Sequence, residues 1–213
     1  MRRWLQYGGF AAGIVLVIFG VVAIAMGASG RSTVSDSLKK EQIVGSPDMT
    51  PAAIKAEATA AGLKNVSLPT CSVAGKTVND GSTARCFASY MRIHGLEATG
   101  GLTYSQMPRY ATADGKGTND ATKATKASNG QPLDNAARTV WINETALSTA
   151  LNVSYMASQL ALFGIVVGVA LLLTGIGFII LAAFGTLRLA AGAVKPAAGP
   201  AAGPDTSAKS VTA

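Results

Sequence analysis

Charge is scarce in this chain, and so are the residues that usually carry out chemistry. Only 14% of its residues are charged, against about 25% in an ordinary soluble domain. One histidine and two cysteines fall short of the four Cys and His ligands of a closed structural zinc shell. A non-haem iron centre of the two-His-one-carboxylate type also fails, because the second histidine does not exist. The H-E-x-x-H zinc pattern, the Gly-rich phosphate loop and the nucleophile elbow are all missing. Basic residues are sparse and not interleaved with aromatics, so the sequence gives no support for nucleic-acid binding.

The most informative absence is local. Residues 4–30 and 145–187 contain no Asp, Glu, Lys, Arg or His. A helix needs about 20 such residues to cross a hydrocarbon layer of about 30 Å. Both stretches exceed that, with thoroughly apolar centres at 11–25 and 160–173. Proton relays, channels and pumps rely on charges within the membrane, so transport by this chain alone is not expected. Gln6 and Thr174 are polar groups of these stretches that local bonding can satisfy. Arg2 and Arg3 ahead of the first stretch, and the small residues Ala23-Ile24-Ala25 within it, resemble a signal peptide. Its apolar run is longer than the 7–15 or so residues of such peptides, so an uncleaved anchor is expected.

Charge orients the chain. On the terminal sides lie Arg2, Arg3, Arg188, Lys195 and Lys209 against Asp205, whereas residues 30–159 hold thirteen basic and ten acidic side chains. Basic flanks stay in the cytoplasm, so both termini are expected there and the middle outside. The cysteines, Cys71 and Cys86, fall in that middle, as a disulfide in an oxidising compartment would. Such a bond would stabilise the domain by about 3 kcal/mol; two buried free thiols are the alternative. The expected fold is a mainly α membrane protein, two transmembrane helices flanking a small disulfide-bonded α-rich domain, with α+β as the alternative for that domain. Its parts are a cytoplasmic N-terminus (1–3), first span (4–28), extracytoplasmic domain (29–158), second span (159–187) and disordered cytoplasmic tail (188–213). Trp4 and Tyr7 suit the inner membrane boundary and Tyr155 the outer.

Within the middle segment, glycines at 27 and 30 predict the end of the first helix, followed by a polar stalk to residue 48. Thr50-Pro51 reads as an N-cap and first helical residue, opening a helix over 51–61 with Ile54, Ala58 and Ala61 on one face and Gly62 closing it. Short β-prone pieces follow at 66–68, 72–73 and 77–78, with turns at 74–76 and 79–81. Phe87, Tyr90, Met91 and His94 predict a helix over 84–97 ended by Gly100-Gly101; a strand over 86–93 is the alternative. Residues 111–135 are rich in Thr, Ala, Asp, Lys, Asn and Gly and read as a flexible loop or disordered insertion. Asn143 is expected to cap a helix running into the second span, with Leu147, Ala150, Leu151 and Ser154 on one side.

Two candidate sites emerge. His94 and Glu97 share a helix face, which is half of a metal site and more ordinarily a surface hydrogen bond; no metal or cofactor is expected. Glycines supply the other. Gly9-x-x-x-Gly13 lies in the first span, where Gly13, Gly20 and Gly27 recur every seven residues. Gly164-x-x-x-Gly168 lies in the second, where Ala161, Gly168, Gly175 and Ala182 recur likewise. Small residues let helix backbones approach in lipid. An antiparallel hairpin with Gly27 level with Ala161 pairs Gly20 with Gly168 and Gly13 with Gly175, leaving the GxxxG pairs for a second copy or another membrane protein. Asn65, Asn143 and Asn152 sit in glycosylation sequons, relevant only in a eukaryotic secretory pathway.

Three segments carry a resemblance: Leu68-Pro69-Thr70-Cys71-Ser72-Val73-Ala74-Gly75, Ala88-Ser89-Tyr90-Met91-Arg92-Ile93-His94-Gly95-Leu96-Glu97-Ala98-Thr99-Gly100-Gly101, and Ala146-Leu147-Ser148-Thr149-Ala150-Leu151-Asn152-Val153-Ser154-Tyr155-Met156. Together they resemble a family of uncharacterised two-span membrane proteins of high-GC Gram-positive bacteria, over nearly the whole chain except the tail. Its members are often labelled aromatic ring-opening dioxygenase subunits. The single histidine does not fit the iron site that label implies. The resemblance implies topology and host class, with no site to carry over. The expected function is that of a non-enzymatic accessory or scaffolding component of the bacterial envelope, in the plasma membrane, with the lipid bilayer and either a second copy or another membrane protein as partners. A ligand-binding or sensing module is the alternative, and an envelope enzyme using His94 and Glu97 comes third.

Overall fold

The computed structural model describes residues 2–184. The expected disordered tail, with Arg188, Lys195 and Lys209, lies outside them. Among the described residues the chain is mainly helical and contains no strand. Four helices follow one another: α1 (Arg2–Lys40), α2 (Pro51–Ala60), α3 (Gly81–Ala98) and α4 (Ala136–Phe184). Two of them, over Gln6–Lys40 and Ala136–Phe184, are long and apolar enough to cross a membrane. By their contacts the residues form two compact units, Met1–Ile18 with Leu171–Ala213, and Phe19–Ala170.

α1 does not end at the glycines. It continues through the predicted stalk to Lys40, because Thr33 bonds back to the Ser29 carbonyl at 3.0 Å and because Leu38, one turn beyond Val34, enters a hydrophobic core. That core joins Val34 and Leu38 of α1 to Ile54 and Ala58 of α2, Phe87, Tyr90 and Ile93 of α3, and Leu151 of α4. α2 starts as its sequence predicts, with the Thr50 hydroxyl accepting from the Ala53 amide at 3.3 Å. Ala61, expected on its apolar face, is the exposed C-cap.

α3 begins three residues earlier than its apolar pattern. Asp80, expected in a turn, is its N-cap: the carboxylate accepts from the Thr83 amide at 2.8 Å, and the Thr83 hydroxyl accepts from the Asp80 amide at 3.1 Å. This is a reciprocal capping box with Thr in place of Glu. The β-prone pieces form only isolated bridges, Val44 with Thr77 and Gly45 with Ala74. A side chain at Gly45 would collide with the Val73 backbone, so only glycine permits this approach. The Cys71–Cys86 disulfide closes the same region, with Cα atoms 6.1 Å apart, and ties the segment to α3.

Residues 111–135 depart from expectation. They are a lobe of hydrogen-bonded turns rather than an open loop: the Ala111 amide donates to the Leu133 carbonyl, the Leu133 amide to Thr125 and the Thr125 amide to Ala111, at 2.8–2.9 Å. The composition that suggested disorder is what builds them. Short polar side chains replace water as backbone partners. Asp114 accepts from the Thr112 hydroxyl at 2.5 Å and the Lys116 amide, and Asp120 from the Thr122 hydroxyl at 2.7 Å and its amide. These hydroxyl bonds hold both carboxyls below the usual range. Asn135, not Asn143, then opens α4, accepting from the Ala137 amide at 3.1 Å.

Candidate functional site

The glycines written at seven-residue spacing lie on faces where the long helices touch. In the unit Met1–Ile18 with Leu171–Ala213, a Cβ at Gly13 would lie 2.8 Å from the Gly175 carbonyl oxygen, and one at Gly175 would lie 2.7 Å from that of Gly13. Gly9 faces Ala182 in the same unit. In the unit Phe19–Ala170, a Cβ at Gly27 would lie 2.6 Å from the Ala161 oxygen, and one at Gly168 2.8 Å from the Gly20 oxygen. No real Cβ tolerates such distances, so backbone meets backbone. One expectation needs correcting: the GxxxG pairs are not left for a partner, because Gly13 and Gly168 are spent within the chain itself, and Gly164 is only 3.8 Å from the Ala23 oxygen by the same measure.

Outside these small-residue faces the helices present large apolar side chains. Phe19 and Phe163 are each 63% exposed, Leu160 71% and Leu173 63%. Small inside and large outside is the reverse of a water-soluble helix pair. Trp4 and Tyr7 are exposed as well. Tyr155 is half-buried, with the Arg85 guanidinium 4.6 Å above its ring.

A polar cleft of about 390 Å³ lies between α3 and α4, lined by Ser89, Arg92, Glu144, Ser148, Thr149 and Asn152 among others. At its floor Glu144, only 4% exposed, accepts from the Ser148 hydroxyl at 2.6 Å and from Arg92 at 3.2 Å. Arg92 stacks on Trp141 at 4.0 Å. Gly95 makes the room, since a Cβ there would lie 2.7 Å from the Glu144 side chain. The inward face of α4 here is therefore Trp141, Glu144 and Leu151, while Leu147 and Ala150 are exposed. A carboxylate at helical spacing from Trp141 and Leu151 is the available sequence signal for this buried site.

His94 turns away from Glu97, which is exposed and makes no ion pair among the described residues. Its partners come from elsewhere: Nε2 lies 3.3 Å from Glu57 Oε2 of α2 and 3.5 Å from Asp48 Oδ2 of the loop before it. The Ser46 hydroxyl, with a smaller contribution from His94, holds the Asp48 carboxyl below its ordinary range. One imidazole nitrogen and two carboxylate oxygens thus converge within 4.8 Å. They are the donor types that bind a divalent cation, whereas a second histidine for the iron triad is still missing. Asp48 and Glu57 carry no local sequence signal pointing to His94. No protein-family model, curated protein or solved structure matches the chain.

Proposed function

We propose that this chain is an integral membrane protein of the bacterial plasma membrane, an accessory or scaffolding component of the envelope. Its two apolar helices cross the bilayer as an antiparallel pair, both termini are cytoplasmic, and the disulfide-bonded domain stands on the outer face. One observation carries the reading: glycine and alanine face the partner helix while Phe19, Leu160, Phe163 and Leu173 face outward. Water penalises that surface by about 25 cal/mol per Å², and lipid does not. The disulfide and the basic flanks support the orientation. The resemblance to two-span proteins of high-GC Gram-positive bacteria belongs to the same proposal.

No Asp, Glu, Lys, Arg or His lies in the apolar stretches 4–30 and 145–187, and on this reading the domain acts by contact. A ligand-binding reading is favoured second by the Arg92–Glu144 cleft, where a buried carboxylate and several hydroxyls converge. The test is extraction. Alkaline carbonate should leave the chain in the membrane fraction, and mild detergent should release it with a second membrane protein in fixed ratio. Release by carbonate would overturn the integral reading. Purification alone, at every detergent concentration, would overturn the scaffold. Ligand-dependent thermal stabilisation of the solitary protein would establish the second reading instead.

A further inference from the structure

We infer that Asp48, Glu57 and His94 form a binding site for a divalent first-row transition-metal ion. The first ground is distance. A charge-assisted N–H···O bond closes to about 2.7–2.9 Å, yet the His94 Nε2 approaches to 3.3 and 3.5 Å stop well short of that. Those lengths instead match the edge of a ligand tetrahedron: with metal bonds of about 2.0–2.2 Å, neighbouring donors stand about 3.4 Å apart.

The second ground is satisfaction. Glu57 Oε2 and His94 Nε2 are both shut off from solvent and have no hydrogen-bond partner. Buried polar atoms ordinarily have one. A cation between them satisfies both at once, and a third donor, from Asp48, lies within 4.8 Å of each. Charge agrees, because neutral imidazole and two carboxylates neutralise a doubly charged ion. Ligand softness sets the class, since imidazole favours zinc and its neighbours over calcium and magnesium, which prefer all-oxygen shells. The side chains of Asp48, Glu57 and His94 are 41%, 28% and 25% exposed, so the cluster lies close to the domain surface. Loop, α2 and α3 each contribute one donor, so the ion would also clamp these three segments.

The full-length protein in detergent, its tag removed and its metals stripped with a chelator, is titrated with Zn²⁺. Expected are one ion per chain, a Tm that rises with Zn²⁺ concentration, and no competition from Ca²⁺ or Mg²⁺. Glu57→Gln and His94→Gln should each weaken binding by about tenfold or more, while Glu97→Gln, altered on the same helix but outside the cluster, should bind as the wild type. Should a variant fail to fold, the wild type still answers: His94 is the chain's single histidine, so its imidazole NMR signals are unambiguous and must shift with Zn²⁺ and broaden with Mn²⁺. A Kd weaker than about 1 mM, or binding that leaves those signals unmoved, overturns the site and reduces the cluster to an ion pair.

Discussion

At the residue scale, the buried polar groups of the domain decide what a substitution does. Tyr90 is fully buried and its hydroxyl donates to the Cys71 carbonyl at 2.6 Å. Tyr90→Phe removes the donor and strands that acceptor, so a loss of about 1–2 kcal/mol is expected at neutral pH. Burial also raises the Tyr90 pKa. The unfolded chain then ionises this tyrosine near pH 10 while the folded chain keeps it neutral, and that favours unfolding. The stability it provides is complete below that pH and is lost as pH climbs through the raised value. The gap between wild type and Tyr90→Phe should therefore narrow above about pH 10, read by chemical unfolding with Trp141 fluorescence. A gap that widens there would reverse the sign.

Arg92 and Glu144 make a second test, because the pair is asymmetric. Glu144 is 3% exposed at the side chain and Arg92 44%. Arg92→Ala abandons a buried carboxylate and should cost about 2–4 kcal/mol, below the figure for a fully buried pair because water already reaches the arginine. Glu144→Gln leaves a guanidinium with solvent and Trp141 for company, and should cost about 1 kcal/mol. The reverse order, in the same unfolding assay, would contradict the burial argument. None of these partnerships was legible in the sequence. His94 was matched with Glu97 because helical spacing makes near neighbours visible, whereas Asp48 and Glu57 reach it only through the packing of α2 on α3.

At the element scale, periodicity was readable wherever one force dominated. Apolar runs located both long helices, and the seven-residue glycine spacing named the pairs that touch, Gly27 with Ala161, Gly20 with Gly168 and Gly13 with Gly175. Boundaries were another matter. Gly27 and Gly30 looked like helix breakers, but a glycine also serves close approach, and a Cβ at Gly30 would meet Ala161 at 3.5 Å. Asp80 and Asn135 are of a type that suits loops, yet their side chains cap α3 and α4. Sequence alone does not say which of two uses a polar or glycine residue is put to. Gly168→Leu should expose the difference. Its side chain would enter the Gly20 backbone and Ile24, forcing the helices apart at a cost of about 1–3 kcal/mol or more. Gly177, with nothing within 4 Å of its Cβ position, should accept leucine with little effect. Resistance to SDS-induced unfolding ranks the two. Equal losses would mean that backbone contact does not hold the helices together.

At the scale of the whole molecule, topology is the claim on which the rest of the functional reading depends. The domain between the long helices carries its own chemical reporters. Lys123, with a side chain 77% exposed, sits in the turn-built lobe, and amine reagents that cannot cross a bilayer should modify it in intact cells. A cysteine introduced beside Trp4, at Gln6 or Tyr7, should stay unlabelled by impermeant maleimide until the membrane is opened, because the native cysteines are already paired. The two probes fail in different ways. Protection of Lys123 together with labelling near Trp4 would invert the protein and place its disulfide in a reducing compartment, where such bonds rarely persist. Labelling of both in intact cells would mean that the first apolar helix does not span. On the proposed topology, an exposed domain with a shielded N-terminal helix is what leaves the Arg92–Glu144 cleft and the His94 cluster open to ligands outside the membrane.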